Sequence, residues 1–289
     1  MSRQVDVAII GAGPAGITAA VQLVRCGLSV ALFEKRKAGG TIEVAWRVEN
    51  FPAFKSGVSG NVIAKKFASH LDDFDIEPIC LRVKRITLGT PFRVETDAEL
   101  FLADNVIVAG GLFPRVLQVP EDIKPFMLDL FTLPEKAESS VLVVGSGDVA
   151  FDQASRLAEM GHNVTLVHRK PKLQALERIV KLAEQLNIKR YISAKPEWLV
   201  KDGRLIRLDI DENICFDYVL PCIGREIDAP EIVTDSARFD LELQQGKILS
   251  AYDGLYFAGD IIRGKMRQVS VAMGDGMRAA LTIIEKMAS

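Results

Sequence analysis

The chain has 289 residues, a formal net charge of −2 and a sequence pI of about 6.0. That length is enough for two domains with their own hydrophobic cores, and the balanced charge argues against a nucleic-acid-binding surface. No apolar stretch is as long as a membrane span, and the first strand begins by about Val5, which leaves no room for a signal peptide, so we expect neither nucleic-acid nor membrane partners.

The first predicted element is an apolar strand at residues 7–10, followed by a glycine-rich turn and a helical pattern at 17–23. The turn has the form G-x-G-x-x-G and contains Gly11, Gly13, Pro14, Ala15 and Gly16. Its glycines allow a tight turn, close approach of the backbone to a pyrophosphate and packing of helix on strand. Backbone N–H groups at the helix start then face the phosphates. A second strand at 28–33 leads to Glu34, 23 residues after Gly11, where an acid accepts hydrogen bonds from ribose hydroxyls.

The middle of the first half is predicted to form a glycine turn at 39–40, a loop at 48–52, an amphipathic helix at 62–74 and strands at 77–83, 92–95 and 105–108. The basic run at 82–85 has the charge to attract an acidic protein carrier, although a charged strand edge is the commoner explanation.

A second glycine turn follows an apolar strand at 141–144 and precedes a helical pattern at 151–158. It contains Gly145, Gly147, Asp148, Val149 and Ala150. After a strand at 164–167, the place of the ribose acid is taken by His168, Arg169 and Lys170, which suit a 2′-phosphate. Arginine is the better bidentate phosphate partner, and a histidine after a strand is often an ordinary hydrogen-bonded residue. One alternative is that the glycines only form the turns of two βα units. Otherwise the two motifs predict that the chain binds two different nucleotides and that electrons pass between them.

Two hairpin-like runs at 205–210 and 219–223, a strand leading into Gly259 and Asp260, and a helix at 271–286 complete the prediction. The two nucleotide units are either in tandem or one inserted into the other. Because a terminal strand and helix cannot form a domain alone, insertion is favoured. We predict an α/β fold with two Rossmann-like three-layer domains, 113–245 being inserted between 1–112 and 246–289.

Taken together, these segments resemble the low-molecular-weight thioredoxin-reductase-like flavoproteins of the pyridine nucleotide-disulfide oxidoreductase class, over nearly the whole chain. The resemblance rests on the two glycine turns, Glu34, and the segments 39–40, 48–52, 108–111, 168–170, 257–260 and 267–268. It implies FAD in the first domain, NADPH in the inserted domain, a homodimer, and rotation of the domains about hinges near 113–115 and 244–246.

The resemblance also implies site residues in each domain. For FAD they are Gly11, Gly13, Pro14, Ala15, Gly16, Glu34, Lys35, Gly40, Asn50, Gly110, Gly259, Asp260, Arg267 and Gln268. For NADPH they are Gly145, Gly147, Asp148, Val149, His168, Arg169 and Lys170.

Asp260 is suited to accept from ribityl hydroxyls or, alternatively, to serve as an N-cap or turn residue. Arg267 is either a flavin neighbour or a solvated surface cation. Gln268 lies near the start of the last helix, whose positive end stabilises a reduced flavin.

One departure from this family decides the expected chemistry. Thioredoxin reductases carry a redox-active C-x-x-C just before the second glycine turn, but residues 121–140 contain no cysteine. Thiol–disulfide exchange needs a nucleophilic thiolate and a resolving partner, so the usual family route is excluded. Gly110 stands where the family usually has threonine, and the aromatic C-terminal segment usual in related ferredoxin–NADP reductases is not expected. The four cysteines, Cys26, Cys80, Cys215 and Cys222, are expected to be buried and inert, in keeping with a reducing cytoplasm.

We therefore predict a cytoplasmic, FAD-dependent enzyme that passes hydride from NADPH to flavin and then to an unidentified acceptor, with no catalytic side chain and no metal. Three alternatives stay open at this point. The acceptor is a protein carrier such as ferredoxin or flavodoxin, or it is a small molecule such as a quinone, dioxygen or an external disulfide. The third alternative is a flavin-binding sensor or assembly partner that does not turn over.

Overall fold

The computed structural model describes residues 3–132, 134, 137–192, 197–207, 209–234 and 252–288. The chain divides into two units. Unit 1 comprises Met1–Glu43, Glu49–Leu112 and Ile227–Ser289, and unit 2 comprises Val44–Val48 and Phe113–Glu226. Most of unit 2 is therefore a single stretch of chain that interrupts unit 1.

The strands of the described residues are, in chain order, β1 (Arg3–Ile10), β2 (Val30–Phe33), β3 (Val83–Thr87), β4 (Phe92–Thr96), β5 (Leu100–Val108), β6 (Leu112–Pro114), β7 (Ser140–Val144), β8 (Asn163–His168), β9 (Lys189–Ile192), β10 (Trp198–Lys201), β11 (Arg204–Arg207), β12 (Cys215–Phe216), β13 (Tyr218–Pro221), β14 (Arg225–Ile227), β15 (Glu231–Val233) and β16 (Leu255–Phe257). The α-helices are α1 (Pro14–Arg25), α2 (Gly60–Asp72), α3 (Asp148–Glu159), α4 (Glu177–Gln185) and α5 (Val269–Met287). None of the described helices is long and apolar enough to span a bilayer.

Unit 1 is built on one sheet with the order β15-β3-β4-β5-β1-β2. β1 lies between β2 and β5 and is parallel to both, and its last four residues are buried, as expected for an apolar strand covered on both faces. The long strand β5 has two partners on its other edge, because β4 pairs antiparallel with its first half and β16 pairs parallel with Val106–Val108. The return of the terminal segment to the first sheet is thus confirmed.

Helices α1 and α5 pack against each other beside this sheet. α5 buries Ala272, Gly276, Ala279 and Ile283, a spacing of three and four residues that places them on one face of a helix. A Cβ on Gly276 would overlap the carbonyl oxygen of Ala15 in α1. The crossing therefore depends on small residues that let the two backbones touch.

Unit 2 contains a parallel sheet with the order β13-β7-β8-β9, and α3 packs on β7, β8 and α4. A separate antiparallel sheet has the order β10-β11-β12, and β6 pairs with β14 where the chain passes between the units. The fold is α/β, as predicted.

Several sequence predictions need correction because strand pairing is decided by distant residues. Residues 77–82 are not a strand: only Ile79 forms a bridge, with Phe33, and β3 begins at Val83. The runs at 205–210 and 219–223 do not pair as a hairpin, since β11 joins β10 and β12 whereas β13 joins β7.

The second passage between the units also differs from the predicted boundary. The chain returns to unit 1 at 226/227 rather than 245/246, because β15 adds to the unit 1 sheet beside β3. The predicted hinge at 244–246 lies outside the described residues, and the other, at 113–115, begins within β6 at the first passage.

Candidate functional site

The first glycine turn forms the floor of a candidate nucleotide site in unit 1. Gly11 has φ +104°, a conformation that favours glycine, and a Cβ there would lie 2.5 Å from the carbonyl oxygen of Ala109. Helix α1 begins at Pro14, directly after Gly13, and no described side chain caps that end. The first-turn N–H groups are therefore available to an anionic ligand.

Glu34 stands at the carboxyl end of β2, next to this turn. One carboxylate oxygen accepts from the Ala12 N–H at 2.9 Å and the other accepts from the Arg36 N–H at 3.0 Å. Two amide donors fix the orientation of the carboxylate without using all its acceptor positions. The remaining lone pairs suit the hydroxyls of a ribose, which is the role predicted for this residue.

A cleft opens beside Glu34 and encloses about 410 Å³, including open solvent at its mouth. Its walls include Gly11, Lys35, Arg82, Gly110 and Asp228, all of which belong to unit 1. Lys35 and Arg82 each form an ion pair with Asp228. The cleft thus joins the predicted residues Glu34, Lys35 and Gly110 in one place.

The other predicted glycines of unit 1 close on the start of α1. A Cβ on Gly40 would lie 2.8 Å from Cα of Gly13, and a Cβ on Gly259 would lie 3.0 Å from Cβ of Ala15. These glycines let neighbouring segments of the protein pack closely around the start of α1. Together with the uncapped helix start and Glu34, they fit the phosphates and ribose of a dinucleotide such as FAD.

Two further predicted residues meet although 218 positions separate them in sequence. The Asn50 side-chain amide donates to the side-chain oxygen of Gln268, the residue that caps α5. Arg267, beside it, is exposed, and Asp260 lies half-buried in a single 3₁₀ turn after β16. The structure therefore brings Asn50 and Gln268 together, while the flavin contacts of all four residues stay predictions.

The second glycine turn lies at the same place in its own sheet. A Cβ on Gly145 would overlap the carbonyl oxygen of Cys222, the residue that follows β13. α3 begins at Asp148 after Gly147, again without a side-chain cap among the described residues. Asp148 and Val149 occupy its first turn, and the Asp148 carboxylate accepts from the Leu176 N–H at 2.8 Å.

The three basic residues after β8 have unequal positions. His168 is buried, and its Nδ1 lies 2.6 Å from the carbonyl oxygen of Lys170, so the imidazole is used to hold its own turn. Arg169 and Lys170 are exposed. The geometry thus leaves Arg169 and Lys170, rather than His168, available to an external phosphate.

Burial perturbs two titratable groups near the second turn. Desolvation raises the pKa of Asp152, although hydrogen bonds from the N–H groups of Trp46 and Arg47 oppose that shift. Burial of the thiol raises the pKa of Cys222 to about 12, with Arg225 opposing and Asp152 reinforcing the shift. Cys222 is therefore a neutral thiol at physiological pH.

The expectation that all four cysteines are buried is wrong. Cys26 and Cys80 are exposed, whereas Cys215 and Cys222 are half-buried, and all four are free thiols. Cys26 follows the last turn of α1, and Cys80 lies in the irregular segment between α2 and β3. The sequence predicted Cys80 to lie in a strand that does not form, and for this reason its burial was predicted wrongly.

The sequence missed two acidic residues that organise unit 1. Asp228 lies just after the chain re-enters unit 1 at Ile227, and it forms ion pairs with Lys35 and Arg82. Asp275 is buried in α5, where it accepts from the Gly259 N–H and pairs with Arg263. An acid between two glycines on the buried face of a helix was the available signal for Asp275, whereas Asp228 has no local signature.

The described residues contain no cluster of side chains suited to a metal ion. The basic run at 82–85 does not form an uncompensated cationic surface. Arg82 pairs with Asp228, Lys84 with Asp97 at 2.6 Å, and Arg85 with Glu231 at 3.0 Å. β3 lies between β15 and β4 rather than at an edge, so the explanation as a charged strand edge is also wrong.

Comparison with known proteins extends these observations to the whole chain. The family model described as pyridine nucleotide-disulphide oxidoreductase matches residues 5–276. A ferredoxin–NADP reductase of Ignicoccus hospitalis is 31% identical over 300 residues, which cover 96% of each protein, and a thioredoxin reductase of Ureaplasma parvum is 28% identical over 310 residues, covering 97% of this chain and 96% of that protein. The crystal structure of T. acidophilum thioredoxin reductase covers 100% of both chains at 26% identity, with a TM-score of 0.78.

Proposed function

The chain belongs to the pyridine nucleotide-disulphide oxidoreductase family, and on that premise we propose that NADPH reduces FAD bound in unit 1 and that the electrons pass to an acceptor without a protein dithiol. It is a flavin- and NAD(P)H-dependent oxidoreductase of the thioredoxin-reductase-like group. Unit 1 is the FAD domain and unit 2 is an inserted NADPH domain. The single observation that carries the proposal is the pair of uncapped helix starts, one beside an acid and the other beside exposed bases.

Unit 1 has the groups that an FAD molecule requires along its adenosine and pyrophosphate halves. The N–H groups at the start of α1 bind phosphate oxygens, and Glu34, held by two amides, accepts from the ribose. Asn50 and Gln268 hold each other at the start of α5, whose positive end stabilises negative charge on a reduced ring. The bound flavin supplies the redox chemistry by accepting a hydride and passing electrons on.

Unit 2 has the groups that favour a nucleotide with a 2′-phosphate. Arg169 and Lys170 follow β8, where unit 1 has Glu34 after β2, and both side chains are exposed. His168 supports the turn through the Lys170 carbonyl. Arg169 therefore supplies the charge-assisted hydrogen bonds that distinguish NADPH from NADH.

A protein dithiol has no place in this scheme. The stretch 121–140 has no cysteine, the four free thiols have no C-x-x-C spacing, and the high pKa of Cys222 keeps its thiol protonated. Electrons consequently leave the flavin directly.

A protein carrier such as ferredoxin is the second candidate for the acceptor. Its support is the 31% identical relative named ferredoxin–NADP reductase, which this chain matches over 96% of its length. The alternatives are a small acceptor and a flavin-binding protein that does not turn over; the retention of features for both nucleotides speaks against the latter. A homodimer without nucleic-acid or membrane partners completes the proposal.

Cofactor analysis followed by anaerobic reduction tests the proposal. The purified protein should be yellow, release FAD rather than FMN on extraction, and lose its flavin absorbance with one equivalent of NADPH. Aerobic assays with ferredoxin, flavodoxin, quinone and an aromatic disulfide then identify the acceptor, and light scattering tests the dimer. A protein that takes up no FAD on reconstitution, or whose flavin NADPH does not reduce, contradicts the proposal.

A further inference from the structure

The segment in which the chain re-enters unit 1, beginning at Ile227, carries an acidic residue, Asp228, at the wall of the cleft beside Glu34. The backbone around Asp228 is fixed on the glycines that follow β5. A Cβ on Gly110 would overlap the Asp228 carbonyl oxygen, and the Asp228 N–H donates to the Gly111 carbonyl at 3.3 Å. Asp228 is thus held at a definite position against the first sheet.

The Asp228 side chain pairs with two cationic side chains from separate parts of the chain. Lys35, at the end of β2, forms an ion pair and hydrogen bond with it, and Arg82, just before β3, lies 3.8 Å away through its guanidinium. The side chains of Asp228 and Lys35 are 17% and 25% exposed, so this pair is partly withdrawn from water. Removing one partner of such a pair costs more than removing a surface ion pair.

Lys35 adjoins Glu34 in sequence, and both line the cleft. Glu34 is the other carboxylate that lines this cleft, so without Asp228 the Lys35 ammonium would be attracted to it. A Lys35–Glu34 pair would use the acceptor positions that a ribose needs. Asp228 prevents this competition by giving Lys35 a different partner.

We propose that Asp228 is a positioning residue for the adenosine half of FAD, which keeps Glu34 open to the ribose by holding Lys35 and Arg82 at the wall of the cleft. This inference rests on the proposed function and goes beyond it, since it concerns how a residue outside the glycine motifs controls cofactor retention. It also predicts which ligands are affected. Binding of ADP should depend on Asp228 as FAD binding does, because both ligands carry the adenosine half, whereas NADPH binding to unit 2 should not.

The test compares flavin-free parent protein with Asp228→Asn, Asp228→Glu and the double variant Asp228→Asn/Lys35→Met. FAD affinity is measured by the quenching of flavin fluorescence, and ADP affinity by competition. Asp228→Asn should weaken both ligands roughly tenfold, the size expected for the loss of a partly buried charged hydrogen bond. Adding Lys35→Met to Asp228→Asn should restore most of that affinity, because the competing ammonium is then absent.

Asp253→Asn serves as the matched control, since Asp253 pairs with Lys286 elsewhere in unit 1. It should leave both affinities within about twofold of the parent, as is usual for an exposed pair. Melting of the flavin-free variants separates folding from binding, and Asp228→Glu, which keeps the negative charge, supplies a second variant if Asp228→Asn is unstable: it should stay within about threefold of the parent in FAD affinity. Equal FAD affinity in Asp228→Asn and parent, a double variant no tighter than Asp228→Asn, or a loss in Asp228→Glu as large as that in Asp228→Asn overturns the inference. A parent protein that binds no FAD contradicts the proposed function instead.

Discussion

The two glycine turns lie against their sheets in the same way but differ in how closely the following helix packs. In each, the first glycine lies against the carbonyl oxygen that follows a neighbouring parallel strand, Ala109 after β5 and Cys222 after β13. At the third position a Cβ on Gly16 would overlap the Gly11 carbonyl oxygen, whereas unit 2 has Ala150 there, fully buried. In both turns the first glycine therefore lies close to the sheet. Only in unit 1 is the start of the helix packed too tightly for a Cβ at the third position.

The surroundings of the turns explain that difference. In unit 1 the start of α1 is enclosed by Gly40, Gly259 and Gly276, each of which lies against it without a side chain. In unit 2 a Cβ on Gly147 would meet no atom of the described residues within 4 Å. Protein is thus packed closely around the start of α1, whereas the middle glycine is open in both turns, since a Cβ on Gly13 would meet only Cα of Gly40 at 3.9 Å.

The largest expected effect comes from adding one methyl group to the enclosed turn. Gly16→Ala should lower the free energy of unfolding by about 1–3 kcal/mol, the usual cost of overpacking, and should abolish FAD retention. Thermal melting and flavin content measure the two effects. Gly147→Ala is the control and should melt with the parent. If Gly16→Ala retained FAD and stability, the enclosed turn would have no functional meaning.

The next effect concerns the bases that replace the acid in unit 2. Arg169→Ala should reduce the preference for NADPH over NADH by about 1.5–3 kcal/mol, because it removes charge-assisted hydrogen bonds to a 2′-phosphate. The ratio of kcat/KM for the two nucleotides in flavin reduction measures it. Lys189→Ala, at the exposed start of β9, should leave the ratio unchanged. An Arg169→Ala protein that still preferred NADPH would assign the discrimination elsewhere.

A smaller effect distinguishes the helices that follow the turns. The fifth residue of α1 is Thr18, which bonds to the Pro14 carbonyl, while the fifth residue of α3 is Asp152, whose pKa is raised by burial. Because the folded pKa exceeds the unfolded value of 3.8, the native state binds more protons between those values, and stability falls as the pH rises through that window. Asp152→Asn should remove this slope, a change on the order of 1 kcal/mol or less.

The measurement for Asp152→Asn is urea unfolding at several pH values above 4, followed through tryptophan fluorescence. Asp202→Asn, an exposed turn residue of the same unit, should keep the parent's slope. An unchanged slope in Asp152→Asn would mean that the hydrogen bonds from Trp46 and Arg47 fully compensate the burial.

The smallest expected effect is that of the thiols, which belong to neither turn. Replacing Cys26, Cys80, Cys215 and Cys222 together by alanine should leave NADPH-to-flavin transfer and dye reduction close to the parent rates. Bound FAD is measured first, because the half-buried thiols contribute to packing. A folded, flavin-loaded quadruple variant without activity would show that cysteines shuttle electrons after all.

The parts of the molecule that sequence predicted are those with local signals. The strand, turn and helix around Gly11 and Gly145 were recognisable because glycine spacing and apolar periodicity lie within about 30 residues, and the structure places them as expected. Glu34 was recognisable by its distance from Gly11. Even the return of β16 to β5 followed from the fact that a lone strand and helix need a sheet.

The parts that sequence did not predict depend on distant partners. Arg82 looked like a free cation because Asp228 lies 146 residues later. Residues 77–82 were apolar enough for a strand, but the pairing that defines β3 starts at Val83. Likewise β15 was not foreseen, because three residues acquire strand geometry only through their pairing with β3.

The divided edge of β5 has a consequence for translation. β4 covers the first half of that edge soon after it leaves the ribosome, but Val106–Val108 must wait for β16, which is made almost 150 residues later. Until then the nascent chain exposes three apolar residues with unpaired backbone groups, a typical template for aggregation or chaperone binding. The first nucleotide turn is made at the beginning of synthesis, yet it is among the last parts of the protein to acquire its neighbours.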